Sequence, residues 1–163
     1  MTRLAELAEY KDTVISRLLG DMDVCKALKY ADTGFLDQPS LSDPTELMYT
    51  HLFPHRYIPD STTSMTTYIT VDVGRFGASN YAYKSGLVNI SIYTDIGLLR
   101  TEYGSTRMDY LIYKVDQLFN QQRGIGMGRL EFHEMDEIHI NEQYLRNDQY
   151  VGFLLSYKPY EFN

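Results

Sequence analysis

The sequence carries one cysteine and no tryptophan in 163 residues. A lone Cys25 excludes an internal disulfide and a cysteine-rich zinc framework, and it points to synthesis in a reducing compartment. Long apolar runs are also missing. No stretch approaches the roughly 20 apolar residues that span a bilayer, and the opening MTRLAELAEYKD is amphipathic, so neither insertion nor export is expected. Positive charge is in deficit, with 15 Lys and Arg against 22 Asp and Glu and a formal net charge of −7. A broad phosphate-binding surface draws its affinity from clustered Lys and Arg, so sequence-specific DNA binding is not expected.

What the chain does have suits one folded domain over residues 1–163. Its 44% hydrophobic and 23% charged residues are an ordinary globular mixture, and the length suffices for a core without disulfides. Tyrosine is abundant, fifteen against seven Phe. A rigid apolar ring with a polar end suits half-buried surfaces and interfaces.

Apolar spacing at Leu4, Leu7, Ala8, Val14, Ile15, Leu18 and Leu19 predicts a helix over 3–19, with Thr2 as a cap and Gly20 as its end. Asp21 or Asp23 can cap a second, short helix in DVCKALKY, where Cys25 reads as a core or boundary residue. SDPTELMY predicts a third, with Asp43 as cap and Pro44 in the first helical position.

Strict alternation in TTYITVDV and LVNISIYTD predicts two half-buried strands, with Ile69, Val71, Val73, Val88, Ile90 and Ile92 facing inward. Between them, GRFGASNYAYKSG (74–86) reads as a long hairpin arm. Met108, Leu111, Ile112, Val115, Leu118 and Phe119 predict a helix over 107–121 lying on the sheet, with Thr106 and Asp109 resembling a capping box. Two more strands are expected in GRLEFHEMDEIHI and in YVGFLLSYKPYEF, where Pro159 ends the ladder or marks an edge. The expected fold is α+β: an antiparallel sheet of about four strands with an amphipathic helix packed on it. A helical N-terminal region (1–50) precedes this sheet-and-helix core (66–163).

Tests for chemistry fail in turn. His51 and His55 have helical i, i+4 spacing, but Pro54 lies between them and removes its meaning. HEMDEIH separates His133 and His139 by six positions in a strand, unlike the zinc-protease helix, and reads as a charged solvent-facing strand. GIGMG follows a helix instead of opening one, so Gly124 or Gly126 reads as a helix terminator. No Gly-x-Ser-x-Gly elbow occurs. No catalytic residue, metal site or cofactor is assigned, and no enzyme is expected. LFPHRYIPD (52–60) reads as a stiff connector pinned by Phe53, Tyr57 and Ile58, with His55 and Arg56 as candidates for contacts at a subunit boundary.

Taken together, DVCKALKYAD, DPTELMYTHLFPHRYIPD, YITVDV, the arm, VNISIYTD, RMDYLIYKVDQLFNQQRGIGMGRLEF and YVGFLLSYKPYEFN resemble the tail terminators of tailed bacteriophages, also called tail completion or head-tail joining proteins. The resemblance spans nearly the whole chain. It rests on element order and on the FPHRYIPD and DQLFN segments, not on an active residue. It implies a structural virion protein of the neck, assembled in the host cytoplasm. Six copies would form a ring on the head-proximal end of the tail tube, stop its growth and join tail to head. The implied partners are the homo-hexamer, the tail tube protein and a head-side connector or stopper, with DNA passing through unbound.

Under that resemblance the arm supplies the first interface candidates, Arg75, Phe76, Tyr81, Tyr83 and Lys84, against the alternative of a surface loop with incidental tyrosines. Tyr157, Tyr160 and Phe162 come second, with packing onto their own sheet as an equal alternative. An acidic net charge also suits a channel through which DNA slides. Competing readings are a neck connector or stopper, a cytosolic adaptor that binds peptides at a sheet edge, and a small metal-dependent hydrolase using His51, His55 or His139.

Overall fold

The computed structural model describes residues 6–57, 65–78, 83–126, 128–138 and 150–162, and at 75–78, 83–85 and 160–162 it describes the backbone. The first helix, α1 (Glu6–Leu19), buries Tyr10, Val14, Ile15 and Leu18, the stripe its apolar spacing marks. The proposed cap Thr2 lies outside the described residues. Asp21, not Asp23, caps α2 (Met22–Lys29): its carboxylate accepts the Val24 N–H at 3.1 Å. Asp21 also lies 3.1 Å from Lys114 Nζ, which ties α2 to the helix Arg107–Phe119. The third short helix is a single 3₁₀ turn, Pro44–Leu47, capped by Asp43 and followed by Tyr49 at φ 63°.

Cys25 is a core residue. Its thiol is fully buried, 3.4 Å from Leu19 O, and burial pushes its pKa up to about 11. A thiol reagent at pH 8 should therefore label the protein only after unfolding, because reactivity follows the exposed thiolate. Stoichiometric labelling of the native protein within minutes would contradict that burial.

Among the described residues the sheet has six strands: β1 (Leu52–Phe53), β2 (Thr67–Ala78), β3 (Tyr83–Asp95), β4 (Glu131–Glu137), β5 (Tyr150–Lys158) and β6 (Tyr160–Phe162). They run in the order β1-β2-β3-β5-β4, with β1 parallel to β2, the rest of the path antiparallel, and β6 also on β3. This is the expected α+β architecture with more strands than the four read from sequence. The connector LFPHRYIPD opens as one of them. Leu52 and Phe53 pair with Ile69 and Thr70, a long-range contact that no local pattern announces.

One face of the sheet carries Ile69, Val71, Val88, Ile90, Ile92, Leu155 and Tyr157, and α1 and α3 (Arg107–Phe119) pack against it. Thr106 accepts the Asp109 N–H at 3.1 Å, as the capping pattern predicts. The helix stops at Phe119, short of 121, and neither Gly124 nor Gly126 ends it. Asn120 closes it, Gln121 turns to φ 61°, and its N–H goes to Leu130 O at 2.7 Å. Gly124 (φ 113°) instead serves the turn beyond, where a Cβ would fall 2.8 Å from Arg17 Nη2.

The strands are less half-buried than their alternation suggests. Tyr68 and Thr70, on the side expected to face water, are buried. Phe53, Tyr68, Tyr93 and Tyr150 form a second cluster, joined by Tyr57 and Ile138. Phe53 stacks on Tyr57 at 4.1 Å and meets Tyr68 edge-on at 5.8 Å, so the aromatic residues of the connector do pin it, as expected, and they cover the sheet's other face. Ile58 lies outside the described residues.

Candidate functional site

The hairpin arm is the first candidate surface, and most of it is ladder, not loop. β2 and β3 pair from Thr67↔Thr94 out to Ala78↔Lys84. The register shifts between Gly74 and Gly77, where Arg75 and Phe76 face the single Gly86, the two-against-one count of a β-bulge. Glycine, serine and asparagine hold this stretch below ordinary strand propensity, and the bulge breaks its alternation, so locally it reads as loop.

The carboxy-terminal candidates join the same structure. β5 leaves β3 at Val88↔Tyr157, Pro159 interrupts the ladder for want of an N–H, and β6 resumes on the arm with Ser85↔Tyr160, Lys84↔Glu161 and Tyr83↔Phe162. The structure thus brings Tyr83, Lys84, Tyr160 and Phe162 together on adjacent strands, with Arg75 and Phe76 on the far strand of a three-stranded arm. Tyr81 lies outside the described residues.

Tyr157 does not belong to this surface. It is fully buried, its hydroxyl donates to Asp116 Oδ1 at 3.0 Å, and its ring meets Phe132 and Phe119. Burial, then the Asp116 carboxylate, raises its pKa. As an interface candidate it is corrected to a core residue that fastens α3 to β5.

His55 and Arg56 are exposed, but they follow β1, which meets β2 at Ile69 and Thr70. Eight residues of strand separate Thr70 from Ala78, roughly 25 Å. They form a separate surface, with the His55 ring 5.8 Å from Phe53 and 6.2 Å from Tyr49. At the base of the arm, Asp72, Asn89 and Ser156 link three strands: Asn89 Nδ2 donates to Asp72 Oδ1 at 2.9 Å, and Ser156 Oγ donates to Asn89 Oδ1 at 2.8 Å.

Histidines converge nowhere in the described residues. His51 Nδ1 donates to Thr67 O at 2.9 Å, and burial lowers its pKa, so its ring is a satisfied strap between β1 and β2. His133 is exposed on β4, and His139 lies outside the described residues. Among the described residues no group of three His, Cys, Asp or Glu is placed to hold a metal, and no helix is long and apolar enough to cross a membrane.

Sequence reasoning missed the Tyr68 hydroxyl, which is buried without a hydrogen-bond partner among the described residues. Tyr68→Phe removes an unpaid desolvation cost while keeping the ring on Tyr93, 4.9 Å away. The expected result is a urea midpoint unchanged or raised; a loss above about 1.5 kcal/mol would contradict the missing partner.

The YomW family model matches residues 21–159. The chain belongs to the YomW family. This phage-related match runs from the α2 cap through β5 to Pro159, so it takes in the sheet path and the arm's two strands and leaves out α1 and β6. No curated protein matches the chain. Among solved structures, a chain of the "Virion of native gene transfer agent (GTA) particle" is 13% identical, with a TM-score of 0.43 over 70% of this chain and 80% of that one.

Proposed function

We propose that this YomW protein is a structural protein of a phage-type virion and, more specifically, a tail terminator. In this reading it forms a hexameric ring that caps the head-proximal end of the tail tube, ends tube growth and offers the surface on which the head docks. The observation that carries the reading is the three-stranded arm, built from β2, β3 and β6 and carrying the aromatic residues Phe76, Tyr83, Tyr160 and Phe162. A ring subunit needs one patch to meet a different patch on its neighbour, and an extension of this kind can supply one. Membership of a phage-related family and the resemblance in element order agree with it. In the ring, an acidic chain lets DNA pass without tight phosphate contacts.

The test is tube length. Tail tubes assembled without this protein should outgrow those assembled with it, as seen by negative-stain imaging. Equal length distributions with and without the protein would contradict the terminator role.

A further inference from the structure

The sheet is open, and its two edges differ. β4 closes the path β1-β2-β3-β5-β4, and among the described residues its strand neighbour is β5 alone. Ile138 N–H donates to Gly152 O, towards β5, so by the period of two the backbone groups of Met135 and Glu137 turn away from it. At the other edge β1 covers only Ile69 and Thr70, and from Val71 to Ala78 the outer side of β2 has no strand partner among the described residues. Unpaired edges of this kind are templates for a further strand.

The chemistry of the two edges is complementary. β4 reads EFHEMDE, four carboxylates without Lys or Arg, and all its residues but Glu134 are exposed, including Phe132 at 46% and Met135 at 44%. The β2–β3 hairpin of the arm has no Asp or Glu between Val73 and Asn89 and carries Arg75 and Phe76 on β2 and Lys84 on β3, where Lys84 pairs with Glu161 of β6. Pairing β4 with a second β4 would set carboxylate against carboxylate, which is destabilising across strands. Pairing it with the outer β2 strand sets the carboxylates of β4 beside the strand that carries Arg75.

We propose that β4 of one copy of this chain receives the outer β2 edge of the arm of the next copy. The inference rests on the ring reading above and names the two surfaces through which the ring closes. Because the surfaces differ, the contact is head-to-tail, and a rotation that closes it yields a ring.

The experiment uses the full chain and two charge-reversed variants, Asp136→Lys/Glu137→Lys on β4 and Arg75→Glu on the outer β2 strand of the arm. Each is checked by circular dichroism for the wild-type spectrum and followed by native mass spectrometry over a concentration series. Each variant alone confronts like charges and should need at least about tenfold more protein to assemble than the wild type. An equimolar mixture should recover rings of alternating copies, since β4 lysines then meet arm glutamates and every other contact is wild-type.

Folded variants that assemble like the wild type, or a mixture that fails to recover, would overturn the edge pairing while wild-type rings keep the ring reading intact. A wild type that stays monomeric throughout, both alone and after addition of tail tubes, would overturn both. Amide exchange on the unmodified protein tests the same point without substitutions. The Met135 and Glu137 amides should exchange at least about tenfold more slowly in rings than in dissociated subunits, and equal rates would overturn the pairing.

Discussion

Arg107→Ala should destabilise the protein by about 3–5 kcal/mol, enough to lower its melting temperature by roughly 10 °C. Arg107 is fully buried at the start of α3, and its guanidinium is shared among three backbone carbonyls. Nε donates to Leu98 O at 3.0 Å, Nη1 to Ala27 O at 2.6 Å and Nη2 to Asp32 O at 3.0 Å. The group also lies 4.5 Å over the Phe35 ring, and burial pushes its pKa down to about 10 despite the nearby Asp32. One side chain thus fastens the end of α2, the loop after it and the turn before α3.

Truncation strands three carbonyls in the interior and opens a cavity, two costs that reinforce each other. Arg107→Lys keeps a cation but loses the planar fork, so it should recover only part of the loss. Urea unfolding with an unchanged m-value is the measurement, and a loss below about 1 kcal/mol for the alanine variant would contradict the clamp.

The second large effect is expected at Phe119. Phe119→Ala should cost about 3–5 kcal/mol, the range for removing a buried aromatic ring. Its ring is fully buried on the last turn of α3, 6.3 Å from the Tyr157 ring, with the Arg17 guanidinium of α1 5.5 Å from its centroid. Arg17 continues to Leu118 O at 3.3 Å and Arg123 O at 2.8 Å, so the ring sits where α1, α3 and the turn after α3 meet. Its loss should therefore lower amide-exchange protection in α1 as well as in α3. Wild-type protection of α1 in the variant would show that the Arg17 contacts hold that helix without the ring.

The two residues differ in how openly the sequence declares them. Phe119 stands in register with Met108, Leu111 and Val115, and period alone assigns it to the sheet-facing stripe. Arg107 looks like a solvent-exposed charge in the first turn of a helix. Its three acceptors are main-chain oxygens 9, 75 and 80 residues away in sequence, and carbonyls leave no trace in residue types.

The same contrast runs through the sheet and the candidate surface. Val88, Ile90 and Ile92 alternate and are read correctly, because one buried face imposes period two. Tyr68 alternates onto the side read as wet, and only the parallel pairing of Leu52 and Phe53 brings aromatic cover to it. Arg75, Phe76, Tyr83 and Lys84 were legible as an arm from the length between two strands. Their union with Tyr160 and Phe162 was not, because Pro159 interrupts the pattern and the pairing is long-range. Tyr157 carries the same aromatic signal as Tyr160, and only its burial against Asp116 and Phe119 separates core from surface.

Native mass spectrometry of the purified wild-type protein across a concentration series, with negative-stain images of the same samples, tests the central claim most directly. The expected species is six 18.9 kDa chains, imaged as closed rings. A monomer at every concentration, both alone and after addition of tail tubes, would contradict it.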